Sequence, residues 1–315
     1  MEIRAIPKNR RKYALWPAAA ILLAAIGVFL YDGTTRVVVN ERQVHLPHLA
    51  AADDGLRVAV LSDPHFGPGD ADRAAMLAEK LNAGNPDIIL LLGDFVNGNP
   101  DRRKSIPMEE LTRFVGLLRP RIGVFAVTGN HELWYGRSKV VDALREGGAA
   151  VIEDKCLTIA TPSGNPLQIV GLPDFSTEAP PKSFPKVNPA WPTLILMHDP
   201  RSAKFVPKEI NGFIVAGHTH GGQFRIIPGG GERTSLRLAM VRIKDKTVGL
   251  PWYQRPYVLF DRGFTEYRGR RMFISSGTGL SRLPVRVFCP PEIVRLELRS
   301  DPDAVRNTFT IPEEL

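Results

Sequence analysis

The chain has 315 residues, 43% hydrophobic and 23% charged, with 28 Gly, 27 Pro and two Cys. This excludes a low-complexity or collagen-like chain, which needs Pro and Gly at roughly 25–30% or a strict repeat, and a disulfide scaffold, which needs more cysteines. Half of the +8 formal charge lies in residues 1–13, as Arg4, Lys8, Arg10, Arg11 and Lys12 against Glu2, and no RNA-binding or zinc-finger signature accompanies it, so no nucleic-acid partner is expected.

Residues 14–31, ALWPAAAILLAAIGVFLY, carry no charge. A helix of that length reaches about 27 Å, close to the roughly 30 Å of a hydrocarbon core. Trp16 and Tyr31 near its ends suit the membrane interface, and the basic residues before it predict a cytoplasmic N-terminus with the rest of the chain outside. No small-x-small site precedes a polar mature start, so an uncleaved transmembrane anchor is favoured over a cleaved signal peptide or a core helix. Asn9-Arg10-Arg11-Lys12-Tyr13 is similar to a twin-arginine export signal and agrees with that orientation.

Residues 32–55 are expected to be an extended connector, with a small hairpin or edge strand around Val37–Val39 and Val44–Leu46. From Leu56 short apolar runs alternate with helical periodicity, the signature of an α/β domain. The pattern predicts strands at 56–62, 87–92, 122–127, 168–171, 193–197, 213–216, 271–275 and 293–298. It predicts helices at 71–83, 108–118 and 138–146. Residues 179–192 are a Pro-rich loop and 300–315 a polar tail. The expected domain therefore spans 56–299. Phe224–Ile227 and Val248–Tyr253 mix apolar and basic residues and either enter lipid head groups or pack on the sheet. Cys156 and Cys289 either pair in an oxidising compartment or stay as buried thiols.

The apolar runs share an ending. LRVAVLS leads into Asp63-Pro64-His65, DIILLLG into Asp94, and VFAVTG into Asn130-His131-Glu132. TLILM leads into His198, and FIVAG into His218-Thr219-His220. Open α/β sheets place their sites at the carboxyl ends of strands, so these groups are expected to converge. Carboxylates, an amide oxygen and imidazoles without Cys suit divalent metals rather than a structural zinc knot. So many ligands suggest two metals sharing one carboxylate. Arg268, Arg270 and Arg271 either bind phosphate or form a solvated loop; His45 and His48 are incidental, and Gly67 and Gly69 are turn residues.

Asp63-x-His65, Gly93-Asp94, Gly129-Asn130-His131-Glu132, His198 and Gly217-His218-x-His220 together resemble the ordered motif set of the calcineurin-like metallophosphoesterases. Gly217-His218-Thr219-His220-Gly221-Gly222-Gln223, Ser276-Gly277-Thr278-Gly279 and Pro291-Glu292-Ile293 are similar to the branch with an N-terminal membrane segment. The resemblance implies a four-layer sandwich of two mixed β-sheets flanked by helices, here preceded by one transmembrane helix. It implies Asp63, His65 and His220 on a first metal, Asn130, His198 and His218 on a second, and Asp94 bridging both. His131 would face the substrate phosphate without ligating a metal. Two positions depart from the pattern: Pro64 stands where that branch has leucine, and Glu132 replaces the commoner Asp. The metals are two divalent ions, with manganese, iron and zinc all compatible.

The implied reaction is metal-dependent hydrolysis of a phosphodiester or pyrophosphate bond, in a membrane or envelope lipid or glycolipid. The enzyme would be anchored with its catalytic domain outside the cytoplasm. The alternatives are a tethered phosphomonoesterase acting on a soluble substrate and a non-catalytic module on a decayed fold. Complete ligand motifs speak against the last.

Overall fold

Valine-, isoleucine- and leucine-rich runs of four to six residues, too short for helices and apolar on both faces, form strands buried on both sides. The structure is a computed structural model and describes residues 9–98, 104–177, 181, 184–225, 261–267, 269–280 and 284–300. The start of the basic segment, the tail beyond Ser300, Arg268, Ile226-Ile227 and Val248–Tyr253 lie outside the described residues.

The helices are α1 (Asn9–Thr35), α2 (Ala71–Asn82), α3 (Met108–Gly116), α4 (Asn130–Tyr135) and α5 (Arg137–Glu146). The first strands are β1 (Val38–Leu46), β2 (Leu56–Leu61), β3 (Ile88–Leu91), β4 (Gly123–Ala126) and β5 (Ala149–Val151). Then come β6 (Lys155–Ala160), β7 (Pro166–Gly171), β8 (Thr193–Leu196) and β9 (Phe213–Ala216). The last are β10 (Gly263–Tyr267), β11 (Arg270–Ile274) and β12 (Glu292–Ser300). They make two six-stranded sheets, ordered β1-β12-β2-β3-β4-β5 and β10-β11-β9-β8-β7-β6. Both are mixed. β2 to β5 run parallel, as do β7, β8, β9 and β11, while β12 is antiparallel to β2, and β6 and β10 are antiparallel edges.

Alternation along each strand divides the core into layers. Ala59, Leu61, Ile89 and Leu91 face Leu77, Leu81, Leu111, Phe114 and Leu144 of the helices. Val58, Val60, Ile88 and Leu90 face the second sheet through Leu167, Ile169, Leu194 and Phe213. On the far side of that sheet Val170, Ile195 and Ile214 pack under Phe184, Val187 and Val206. Here the described cover consists of loops and 3-10 turns such as Pro200–Phe205 rather than α-helices. Proline at positions 185, 189, 192, 200 and 207 removes the N–H groups that a helix would need.

Of the two forms expected for the connector, hairpin or edge strand, it takes the edge strand, one unbroken β1 parallel to β12 from Val38 opposite Glu292 to Leu46 opposite Ser300. The strands β5, β6 and β10 were not expected, because β5 is three residues long and the two edges alternate with Lys, Thr and Glu. At the N-terminus, α1 runs through the whole uncharged segment with Pro17 inside it. Among the described residues no helix is long and apolar enough to cross a membrane. Both cysteines are free thiols.

Candidate metal centre

The parallel strands of both sheets deliver their carboxyl ends to one place. Asp63 and His65 follow β2, Asp94 follows β3, Asn130 and His131 open α4 after β4, His198 follows β8, and His218 and His220 follow β9. All eight sequence-expected residues lie there. Three overlapping sets bring ligand atoms within 4.8 Å of one another: Asp63, His65 and His220; His65, Asp94 and His131; and Asp94, His198 and His218. Asp94 belongs to two of them. Its Oδ2 lies 3.2 Å from His198 Nε2, 3.6 Å from His65 Nε2 and 3.8 Å from His131 Nε2. The imidazole nitrogens also converge, His65 Nε2 on His220 Nε2 at 3.0 Å and His198 Nε2 on His218 Nδ1 at 3.1 Å.

The main chain is bent to make this convergence. Asp63, His65, Asp94, His218 and His220 all have φ between 45° and 69°, a left-handed conformation uncommon outside glycine and concentrated at functional sites. Close approach does the rest. A Cβ on Gly93 would lie 2.5 Å from Gly129 N, and one on Gly217 would lie 2.6 Å from Asp63 Oδ2. Glycine is therefore required at both positions.

Each ligand is held by a neighbour. Asp63 accepts from the His218 N–H at 3.0 Å and from the Ser62 hydroxyl. His198 Nδ1 lies 2.8 Å from the Leu92 carbonyl, which fixes its proton there and turns Nε2 inward. His218 Nε2 faces Asp199 at 3.6 Å, and Asp199 is clamped by Arg201 at 2.9 Å. Burial, outweighed by His218 and Arg201, leaves the Asp199 carboxyl down at about 2. Burial pushes His65 down to about 4 and His220 well below an ordinary imidazole, so both are neutral near pH 7. Burial opposes charge on His198 as well, but Asp94 outweighs it and raises that imidazole well above its usual value.

Sequence reasoning left the role of Glu132 open, and the structure supplies it. Its carboxylate is fully buried and accepts from the N–H groups of Asp94 at 2.8 Å, Phe95 at 2.7 Å, Val96 at 3.2 Å and Gly129 at 2.7 Å. It ties the loop after β3 to the loop after β4. Burial, with Asp94 nearby, pushes this carboxyl upward, and the N–H groups of Gly129 and Val96 oppose that shift. Two further residues were missed. Asp199 directly follows a candidate ligand, which was a usable signal. Arg286 had none: it is fully buried, and its guanidinium donates to the carbonyls of Ser276 at 2.8 Å and Gly279 at 2.6 Å. Arg270 and Arg271 begin β11 while its other end meets the site, and Arg271 donates to the His45 carbonyl at 2.9 Å. They do not join the centre.

The donor set fits divalent cations. Asn130 is buried and its Oδ1 has no hydrogen-bond partner, as expected of an amide oxygen reserved for a cation. Residues 56–222, more than half of the chain, match the calcineurin-like phosphoesterase family. The chain belongs to that family. A metallophosphoesterase of Aquifex aeolicus is 27% identical over 78% of this chain and 85% of its own length. A phosphodiesterase of Escherichia coli, YaeI, is 29% identical over 68% and 70%. A bovine protein named as a transmembrane protein with a metallophosphoesterase domain is 26% identical over 93% and 64%. As a family member this metallophosphoesterase is a phosphoric ester hydrolase of the dinuclear-metal type.

Proposed function

We propose that this metallophosphoesterase hydrolyses a phosphodiester or pyrophosphate bond in a membrane or envelope lipid. In this reading α1 anchors it and the two-sheet domain that follows, from β1 onward, lies outside the cytoplasm. The observation that carries the phosphoesterase part of the proposal is the placement of Asp94 within reach of His65, His131 and His198 at the junction of two ligand sets. We assign Asp63, His65 and His220 to one cation, Asn130, His198 and His218 to the other, and Asp94 to both. Held by these residues, a pair of manganese, iron or zinc ions would lower the pKa of water toward neutral pH and polarise phosphoryl oxygens.

The side chains divide the remaining work. Neutral His65 and His220 hold their positions without competing protons, and Glu132 fixes Asp94 relative to Asn130. His131 is held by its own N–H donating to Asp94 Oδ1 at 3.0 Å and by its ring against Trp134, 4.7 Å between centroids. At 21% side-chain exposure it is open to a substrate. It stabilises charge on the phosphoryl group or returns a proton to the leaving oxygen.

The membrane part of the proposal is supported by α1. Ile21, Leu22, Leu23 and Val28 are 61–70% exposed, an apolar surface that requires a partner, and the preceding basic residues set its direction. Assay of the full chain on chromogenic mono- and diesters, with and without manganese, tests the chemistry. Preference for the monoester would replace the diesterase reading with a tethered phosphomonoesterase. A reporter fused at Leu315 should be active only outside the cytoplasm; cytoplasmic activity would reverse the orientation.

A further inference from the structure

A cleft of about 380 Å³ lies between the C-terminal turn of α1 and the metal centre, within the roughly 300–1,000 Å³ of small-molecule sites. Thr34 and Thr35 of α1 line it, with Met76 of α2 and with Val37, Leu280 and Pro284. His65, a candidate ligand, lines it too. Two buried polar atoms of lining residues have no partner, Thr278 Oγ1 and His65 Nδ1, and Thr278 is only 3% exposed. Arg73 adds positive charge; its guanidinium is held by the carbonyls of Pro64 and Thr278, both at 2.9 Å, and partly offset by Asp70.

We propose that this cleft receives the acyl-bearing glycerol side of a phospholipid whose phosphate ester is cleaved at the centre. The proposal rests on the phosphoesterase reading above. Three features favour a lipid over a soluble alcohol. The cleft meets the centre at His65, so an ester held at the centre would extend one arm into the cleft. Val37, Met76 and Leu280 give the cleft an apolar lining that suits a hydrocarbon chain. The exposed apolar surface of α1 ends at the same turn that lines the cleft, so a chain drawn along α1 reaches the cleft before it reaches the centre.

The test uses the full chain in phosphatidylcholine vesicles containing phosphatidylglycerol with a diazirine in one acyl chain, with a chelator present so that nothing turns over. Photolysis should place adducts on tryptic peptides 37–42 and 74–80, which carry Val37 and Met76. Excess dihexanoyl phosphatidylglycerol should remove them, and glycerophosphoglycerol should not. Adducts confined to residues 13–33 of α1, or equal displacement by both competitors, would overturn the proposal. In turnover, Met76→Trp, or Thr35→Phe should the first fail to fold, should lower kcat/KM for the dihexanoyl lipid at least tenfold relative to glycerophosphoglycerol. An unchanged ratio would also overturn it. Hydrolysis of soluble esters without cleft adducts removes the cleft assignment alone. Adducts in a protein that hydrolyses no phosphate ester support the cleft and remove the catalytic reading.

Discussion

The guanidinium of Arg286 stands 3.5 Å from Nδ1 of His220, while the backbone N–H of Arg286 donates to Thr34 Oγ1 at 3.0 Å. One residue thus touches both a candidate ligand and the end of α1. The same contact zone includes Phe29 packed edge-on to Phe288 with centroids 5.2 Å apart. Arg286→Lys keeps the charge but offers three donors where the guanidinium has five in a fixed fork. Buried carbonyls left unmatched cost roughly 1–3 kcal/mol each. The variant should unfold at lower urea and bind its His220-side cation less tightly. Wild-type values for both would show that Arg286 only fills space.

Asp94→Asn removes the charge shared by two ligand sets. Metal content measured by mass spectrometry should fall below two per chain, and turnover should drop by orders of magnitude. Retention of two metals with near-normal turnover would remove the bridging assignment.

His131→Ala should behave differently, because His131 holds no cation in the proposed assignment. Both metals should remain while kcat falls by about 10²–10⁴, the usual contribution of a positioned acid or base. Loss of a metal would make His131 a ligand.

Glu132→Gln tests a residue assigned to no cation. An amide keeps one acceptor oxygen and turns an NH2 toward N–H donors that Glu132 now satisfies. The mismatch should cost about 1–3 kcal/mol per orphaned donor, read as a lower Tm, with weaker metal uptake as the Asp94 loop loosens. Unchanged stability would mean that the loops after β3 and β4 do not depend on this carboxylate.

Much of this arrangement was legible in the sequence. The apolar runs ending at Asp63, Asp94, His198 and His218 identified parallel strands, because burial on both faces leaves no polar alternation to confuse the pattern. Metal-binding side chains at their ends then follow from sheet topology. Arg286 and Glu132 were less accessible for a shared reason. Their partners are main-chain groups, Ser276 and Gly279 carbonyls for one and four N–H groups for the other, and backbone groups carry no residue code. The edge strands β6 and β10 were obscured because an exposed edge tolerates Lys155, Thr158 and Glu266, which read as loop.

The left-handed backbone at Asp63, His65, Asp94, His218 and His220 has a consequence for descent and for design. Each such turn would relax if its residue became glycine, and strained positions of this kind cost on the order of 1–3 kcal/mol. A lineage freed from catalysis would gain stability by shedding those side chains one at a time. This chain has shed none. Grafting the same Asp and His residues onto another α/β sheet would fail for the complementary reason: the recipient would need these five bends, and ordinary strand ends do not supply them.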